Sequence, residues 1–329
     1  KGVNLPGVDL DIDLVTERDE RELSLAAETE ADFVAASFVR SAADVYTISD
    51  ALDDRGTEIP VIAKVERAGA VENLDEIIEA AYGVMVARGD LGVEMPLEDV
   101  PIIQKRIIRK CHAAGAPVIT ATEMLDSMIS ARRPTRAEAS DVANAVLDGT
   151  DAVMLSGETA VGDDPVRVVE TMDRIVRQVE VSAESDETRE ARIPAADEES
   201  RTEALSRSAR YLARDVGASA IVAASESGYT ALKTAKFRPG VPVVAATPDD
   251  RVRRQLALSW GITPKYSAYR EDIDRMMDDA VDAALDAGVA ASGDTLVVLS
   301  GMMTELEGTN TTNMLKLHVA AEAVATGRK

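Results

Sequence analysis

The stretch Val84-Met85-Val86-Ala87-Arg88-Gly89-Asp90-Leu91-Gly92-Val93-Glu94 decides how the rest of the chain is read. Its first four residues form an apolar run of the kind that buried parallel strands carry, and the run stops at an arginine, two glycines and two acids. In an α/β barrel the side chains that act on a ligand stand where strands end, so an acid just past a strand is placed to hold a cation. Gly89 opens the backbone to close approach, because no Cβ stands in the way.

Outward from this stretch, short apolar runs alternate with amphipathic ones. Upstream, residues 3–15 carry a Gly-Pro turn and an acidic alternation. Thr16-Glu17-Arg18-Asp19 then reads as the capped start of a helix to about Glu28. A strand at 32–39, a helix from about Ala42, a strand at 60–66 and a helix around 73–80 follow. Downstream come a helix at 98–114 and strands at 117–122 and 152–156, each strand followed by a helix. Five strands with five crossovers imply a parallel sheet, and each strand ends in polar residues as a barrel's reactive face requires. This first domain covers residues 1–180. Residues 181–200 lie in a run of Glu, Asp, Ser and Ala without an apolar period and read as a linker. Residues 201–329 form a second α/β domain, with its clearest strands at 220–224, 241–246 and 295–299.

Composition narrows the function classes. With 46% hydrophobic residues in 329, the chain buries a large core, and no apolar run approaches the roughly 20 residues of a membrane helix. It opens abruptly at Lys1-Gly2-Val3-Asn4, so an upstream part is expected. The one cysteine, Cys111, excludes an internal disulfide and fits a reducing cytoplasm. The 59 acids against 36 bases give a formal net charge of -23, which repels nucleic acid and anionic membrane. Such an acidic, lysine-poor surface resembles that of proteins from salt-loving organisms.

Lys64 and Glu66 lie two apart on one strand and therefore face the same way. Buried near the top of a barrel they form either a satisfied core ion pair or a working site. Asp90, past the end of the next strand, favours the second: Glu66 and Asp90 are placed to share a divalent cation through oxygens, as Mg²⁺ prefers. Lys64 beside it would stabilise charge on a phosphoryl group or an enolate. Thr120, Thr122 and Ser156 add hydroxyls at the following strand ends, suited to holding a carboxylate and relaying a proton. Cys111 and His112 in one expected helix, and His318 in another, show no zinc spacing and read as packing.

Several long motifs together resemble the pyruvate kinase family. They are Lys1-Gly2-Val3-Asn4-Leu5-Pro6-Gly7, residues 32–40, Ile62-Ala63-Lys64-Val65-Glu66, residues 85–94, 119–128, 133–138, 141–151 and Met154-Leu155-Ser156-Gly157-Glu158-Thr159-Ala160. The resemblance covers essentially the whole chain and is weaker after the linker. It implies five of the eight strands of a (β/α)8 TIM-type barrel, followed by an α/β three-layer regulatory domain. It also implies phosphoryl transfer from phosphoenolpyruvate to ADP, giving pyruvate and ATP.

Residue by residue, the resemblance makes Lys64 the lysine that steadies the phosphoryl group and the enolate. Glu66 and Asp90 become ligands of Mg²⁺ or Mn²⁺. The amides of Gly89 and Asp90, with Thr122, hold the substrate carboxylate, Ser156 belongs to the proton relay, and Ser37 lines the phosphate and cation site. Arg88 braces the metal acids, and Arg132, Arg133 and Arg136 lie in a subunit contact of a homotetramer. K⁺ is implied too, with most of its ligands in strands that would precede Lys1. The first three strands and an inserted β domain are absent from the chain, and five strands cannot close a barrel.

In the second domain, Ser225-Glu226-Ser227-Gly228-Tyr229-Thr230-Ala231 follows a strand and opens a helix, a ready anion site of amides and hydroxyls. The residues expected to bind an effector are Ser225, Ser227, Gly228, Tyr229 and Thr230. Glu226 adds an anion and residues 301–313 hold no Lys or Arg, so a single-phosphate effector, or no effector, is favoured over a bisphosphate. Two other readings stand beside the kinase: another metal-dependent enolate-forming barrel, and a catalytically incomplete module that only binds a phosphate effector.

Overall fold

The computed structural model describes residues 14–182, 200–268, 272–301 and 312–320. The turn at residues 3–13, the linker at 183–199 and residues 302–311 lie outside them. Two compact units divide the chain, Lys1–Arg192 and Ile193–Lys329.

In the first unit, five strands lie side by side in chain order, all parallel: β1 (Val34–Ala36), β2 (Val61–Val65), β3 (Gly83–Ala87), β4 (Val118–Ala121) and β5 (Ala152–Met154). The helices before, between and after them are α1 (Glu17–Glu28), α2 (Ala42–Asp53), α3 (Ala68–Glu72), α4 (Leu74–Ala80), α5 (Arg88–Glu94), α6 (Val100–Ala114), α7 (Arg136–Asp148), α8 (Gly157–Ala160) and α9 (Pro165–Glu180). The cap expected at Thr16 is present: its hydroxyl accepts from the Asp19 amide while Asp19 accepts from the Thr16 amide. The α6 and α7 helices end on Gly115 and Gly149 in the left-handed conformation.

Strand alternation separates two faces. Val61, Ala63 and Val65 of β2, Val84 and Val86 of β3 and Val118 of β4 pack with Ile77, Leu74, Ile107, Ile108 and Cys111 of the helices, which forms the main core. The opposite face carries Ile62, Lys64, Met85 and Ile119. Register sets Lys64 beside Met85, and Met85 beside Ile119, in one lateral row. A smaller core of Met124, Leu125, Met128, Val142, Ala145, Val168 and Met172 lies under the loops after β4 and β5. The sheet is open, with β1 and β5 at its two ends.

The second unit is a five-stranded sheet of order β10-β9-β6-β7-β8. Its strands are β6 (Ala220–Ala224), β7 (Val243–Thr247), β8 (Ile262–Tyr266), β9 (Thr295–Ser300) and β10 (Met314–Val319). Four run parallel and β10 pairs antiparallel with β9. The helices are α10 (Arg201–Val216), α11 (Tyr229–Lys236), α12 (Asp250–Leu256) and α13 (Ile273–Asp286). Because β6 pairs with β7 on one side and β9 on the other, the strand order reverses there, and the ends of β6 and β9 flank a topological switch point.

Two strands were not anticipated. β8 contains Pro264 and Lys265, which obscure its pattern, and its position at a sheet end tolerates the missing proline donor. β10 alternates charge with apolar residues, and His318 lies in this edge strand rather than in a helix. Cys111 and His112 do serve as packing. Cys111 is fully buried, and His112 sits against Gly149 with Nε2 2.5 Å from the Gly149 carbonyl oxygen. Among the described residues no helix is long and apolar enough to cross a membrane.

Candidate active site

The face of β2 that carries Lys64 also carries Glu66, one residue past the strand end. Glu66 is 2% exposed, yet both its oxygens are occupied. Oε1 lies 2.5 Å from the Lys64 ammonium, and Oε2 accepts the Phe38 amide at 3.0 Å. Lys64 also donates to the Ser37 hydroxyl at 2.8 Å. Ser37 and Phe38 follow β1 directly, and Phe38 has a positive φ of 60°, which turns its amide onto the carboxylate. The expected grouping of Ser37, Lys64 and Glu66 is therefore physically assembled, with the lysine partly accessible and the acid buried beneath it.

The second cluster joins the ends of β3 and β4. The Gly89 amide donates to the Thr122 hydroxyl at 2.8 Å, and that hydroxyl donates to the Ala121 carbonyl at 2.7 Å. Thr122 and Glu123 both have positive φ, 67° and 52°, a conformation that non-glycine residues hold only under constraint, at a cost of about 1–3 kcal/mol each. Arg88 supplies much of that constraint. Its guanidinium donates to the carbonyls of Ala121 at 3.3 Å and Thr122 at 2.8 Å, and to Asp141 at 2.7 Å; Gln104 takes a further contact at 3.4 Å. The expectation that Arg88 braces the metal acids is thereby corrected: it binds Asp141 of α7 and the loop after β4, because its side chain turns toward the carbonyls that the positive-φ turn exposes.

Asp90 follows in the first turn of α5, exposed and without a side-chain partner among the described residues. With Glu66 it offers a pair of oxygen donors at adjacent strand ends. Among the described residues no three His, Cys, Asp or Glu side chains converge. Two carboxylates suit a cation such as Mg²⁺ that keeps several positions for water and substrate oxygens, so the donor set fits the divalent metal that the resemblance implies. Thr120 turns out to face the helices, fully buried with its hydroxyl donating to Thr150 at 3.0 Å, and takes no part in the site.

Ser156 caps α8 beyond β5. Its amide donates to Glu158 Oε2 at 2.7 Å, and the other oxygen of the same carboxylate accepts the Leu125 amide at 3.1 Å. Glu158 lies in the 154–160 motif, where its residue type alone points to no task. Asp141 and Gln104 were missed as well, since nothing in a linear pattern pairs Arg88 with a residue 53 positions away.

In the second unit, Gly228 (φ 75°) caps α11, and an added Cβ there would meet Leu256 Cδ2 at 2.8 Å. Ser227 is exposed, whereas the Ser225 amide is committed to the Ala246 carbonyl at 3.0 Å. Thr230 departs from expectation: it is 5% exposed and its hydroxyl pairs with Thr312 at 2.8 Å, so it faces the core rather than a ligand. Tyr229 packs its ring under Lys233 Nζ, 5.5 Å from the centroid. Ser300, unremarked in the sequence, ends β9 at the switch point with a buried hydroxyl that has no hydrogen-bond partner among the described residues.

A parallel sheet with a lysine–acid pair, a second acid and amide and hydroxyl donors, all at or near its strand ends, has the arrangement of a barrel-type site. The comparisons make this particular. Residues 1–169 match the family model for the pyruvate kinase barrel domain, and residues 203–318 match that for the pyruvate kinase alpha/beta domain. Among curated relatives, a pyruvate kinase of Geobacillus stearothermophilus is 46% identical over 100% of this chain and 56% of its own length. One of Clostridium acetobutylicum is 46% identical over 97% of this chain and 67% of its own, and one of Bacillus licheniformis 44% over 100% and 56%. The chain belongs to the pyruvate kinase family. It spans little more than half the length of the Geobacillus and Bacillus relatives.

Proposed function

We propose that the chain carries much of the active site of an enzyme that transfers a phosphoryl group from phosphoenolpyruvate to ADP and protonates the resulting enolate to pyruvate. The observation that carries this reading is Lys64, held between Ser37 and Glu66 with its ammonium partly open. A transferring phosphoryl group needs positioning and charge neutralisation more than covalent chemistry, and a fixed ammonium supplies both. In this reading the Gly89 N–H and the Thr122 hydroxyl, now bonded to each other, turn to the substrate carboxylate. Ser156 stands at the next strand end as a proton carrier. Glu66 and Asp90 would hold Mg²⁺ or Mn²⁺, which neutralises phosphate charge when bound. K⁺ would assist from ligands outside this chain.

The finer assignments belong to the same proposal. We place the domain limits at 1–180 and 201–329 with a linker between, the protein in the cytoplasm as a homotetramer, and salt adaptation in the net charge of -23. A single-phosphate effector would sit between the ends of β6 and β9, near Ser227, Gly228 and the Ser300 hydroxyl. The open sheet ends at β1 and β5 favour one qualification: turnover is expected to need further strands to complete the barrel.

The test is ADP-dependent pyruvate formation from phosphoenolpyruvate with Mg²⁺ in high KCl, on this chain and on the gene's complete product. Activity in the complete product is the expected result. None there, with the protein folded, would overturn the reading in favour of another enolate-forming barrel.

A further inference from the structure

Glu158 is 2% exposed, and each of its oxygens takes one backbone amide, from Ser156 at the end of β5 and from Leu125 in the loop after β4. An ionised carboxylate is an acceptor only, and hydrogen bonds to it are shorter and stronger than those between neutral groups. It is thus suited to tie two N–H groups that no ladder or helix satisfies. Leu125 stands three residues beyond Thr122, whose turn is held at its other end by Arg88. Gly162 packs behind Glu158 so closely that a Cβ there would come 2.2 Å from the Glu158 carbonyl oxygen, which fixes the short helix from the rear.

We infer that Glu158 is a positioning residue, a carboxylate clamp that fixes the Ser156 hydroxyl relative to the Thr122 loop so that the proton reaches the enolate carbon. This rests on the phosphoenolpyruvate reading above. With both oxygens turned to amides, Glu158 acts through Ser156 and the Thr122 loop. A glutamine of the same shape would present an NH₂ group to one of the two amides, breaking one hydrogen bond and setting donor against donor.

The experiment compares the gene's complete product with its Glu158→Gln variant in two assays. One follows phosphoryl transfer. The other follows exchange of pyruvate methyl protons with D₂O in the presence of Mg²⁺ and ATP, by NMR. A clamp for proton delivery predicts that methyl exchange falls at least about tenfold further than phosphoryl transfer, with Tm within a few degrees of the parent. Equal loss in both assays, or no loss in either, overturns the inference. If the variant does not fold, amide hydrogen exchange on the unsubstituted protein decides: slow exchange at Leu125 and Ser156 supports the clamp, and exchange at the rate of an open loop refutes it. Absence of pyruvate formation by the unsubstituted protein would instead sink the proposed function and leave the clamp to amide exchange alone.

Discussion

Both units end their parallel strands in polar residues, yet the two sets of ends differ in kind. In the first unit, wholly or partly buried charged side chains are held by partners: Lys64 by Glu66 of the same β2 segment and by Ser37 after β1, Arg88 by Asp141 and the loop after β4. In the second, the ends of β6 and β9 carry a glycine cap, exposed serine and a buried hydroxyl without a partner among the described residues, while Thr230 bonds inward. Buried charge is retained only where partners compensate its desolvation, as Glu66 and Phe38 show at the end of β2. Backbone donors and hydroxyls suit reversible binding, where affinity rather than turnover is set.

That contrast is open to direct attack. The largest effect is expected from Lys64→Met in the gene's complete product: turnover should fall by on the order of 10³-fold or more, with phosphoenolpyruvate affinity changed by about tenfold or less. Parent-like turnover would remove the first unit's claim to chemistry. Asp90→Ala comes next and should raise the Mg²⁺ concentration for half-maximal rate by at least about tenfold. An unchanged metal dependence takes Asp90 off the ligand set. Gly89→Ala is milder, since the new Cβ would lie 3.4 Å from Thr122 Oγ1, an ordinary contact, but would crowd the approach of a carboxylate. A roughly tenfold rise in KM, equivalent to about 1.4 kcal/mol, is the expected outcome, and steady-state kinetics would show whether KM stays put.

The smallest effect tests the second unit. Burial alone would raise the Glu203 carboxyl, but hydrogen bonds from Lys236 and the Ser200 amide, with the charges of Lys236 and Lys233, outweigh it and hold the group at about 2 instead of 4.5. A depressed folded-state value means that the stabilisation is complete above the unfolded value and fades as pH falls from 4.5 toward 2. Glu203→Gln should therefore lower Tm by a few degrees at pH 7, roughly 4–8 °C per kcal/mol, and by less near pH 2. An equal shift at both pH values would refute the ion pair as its source.

How much of this was legible differs along the chain. β2 could be read because a lysine and a glutamate interrupt an apolar run at period two, and the cap at Thr16 because its partners are three residues apart. β8 and β10 could not, since proline, lysine and histidine inside them erase the apolar signal that an edge strand does not need. Lys64 and Glu66 stand out by type and spacing, whereas Ser37 is named only through the family resemblance; the structure places the three in contact. The true partner of Arg88 and the double grip of Glu158 arise only when loops far apart in sequence meet. The outward turn of Thr120 and the inward turn of Thr230 depend on which face a backbone happens to present.

Cys111 lies fully buried on α6 against the sheet of the first unit, and burial pushes its thiol well above the ordinary range. As the chain's sole sulfhydryl it is therefore silent toward alkylating reagents while α6 stays packed, because the thiolate is the reactive form. Modification then proceeds no faster than the helix opens. The residue is a built-in clock for local unfolding of one unit, one that leaves the other unit's fluctuations unrecorded.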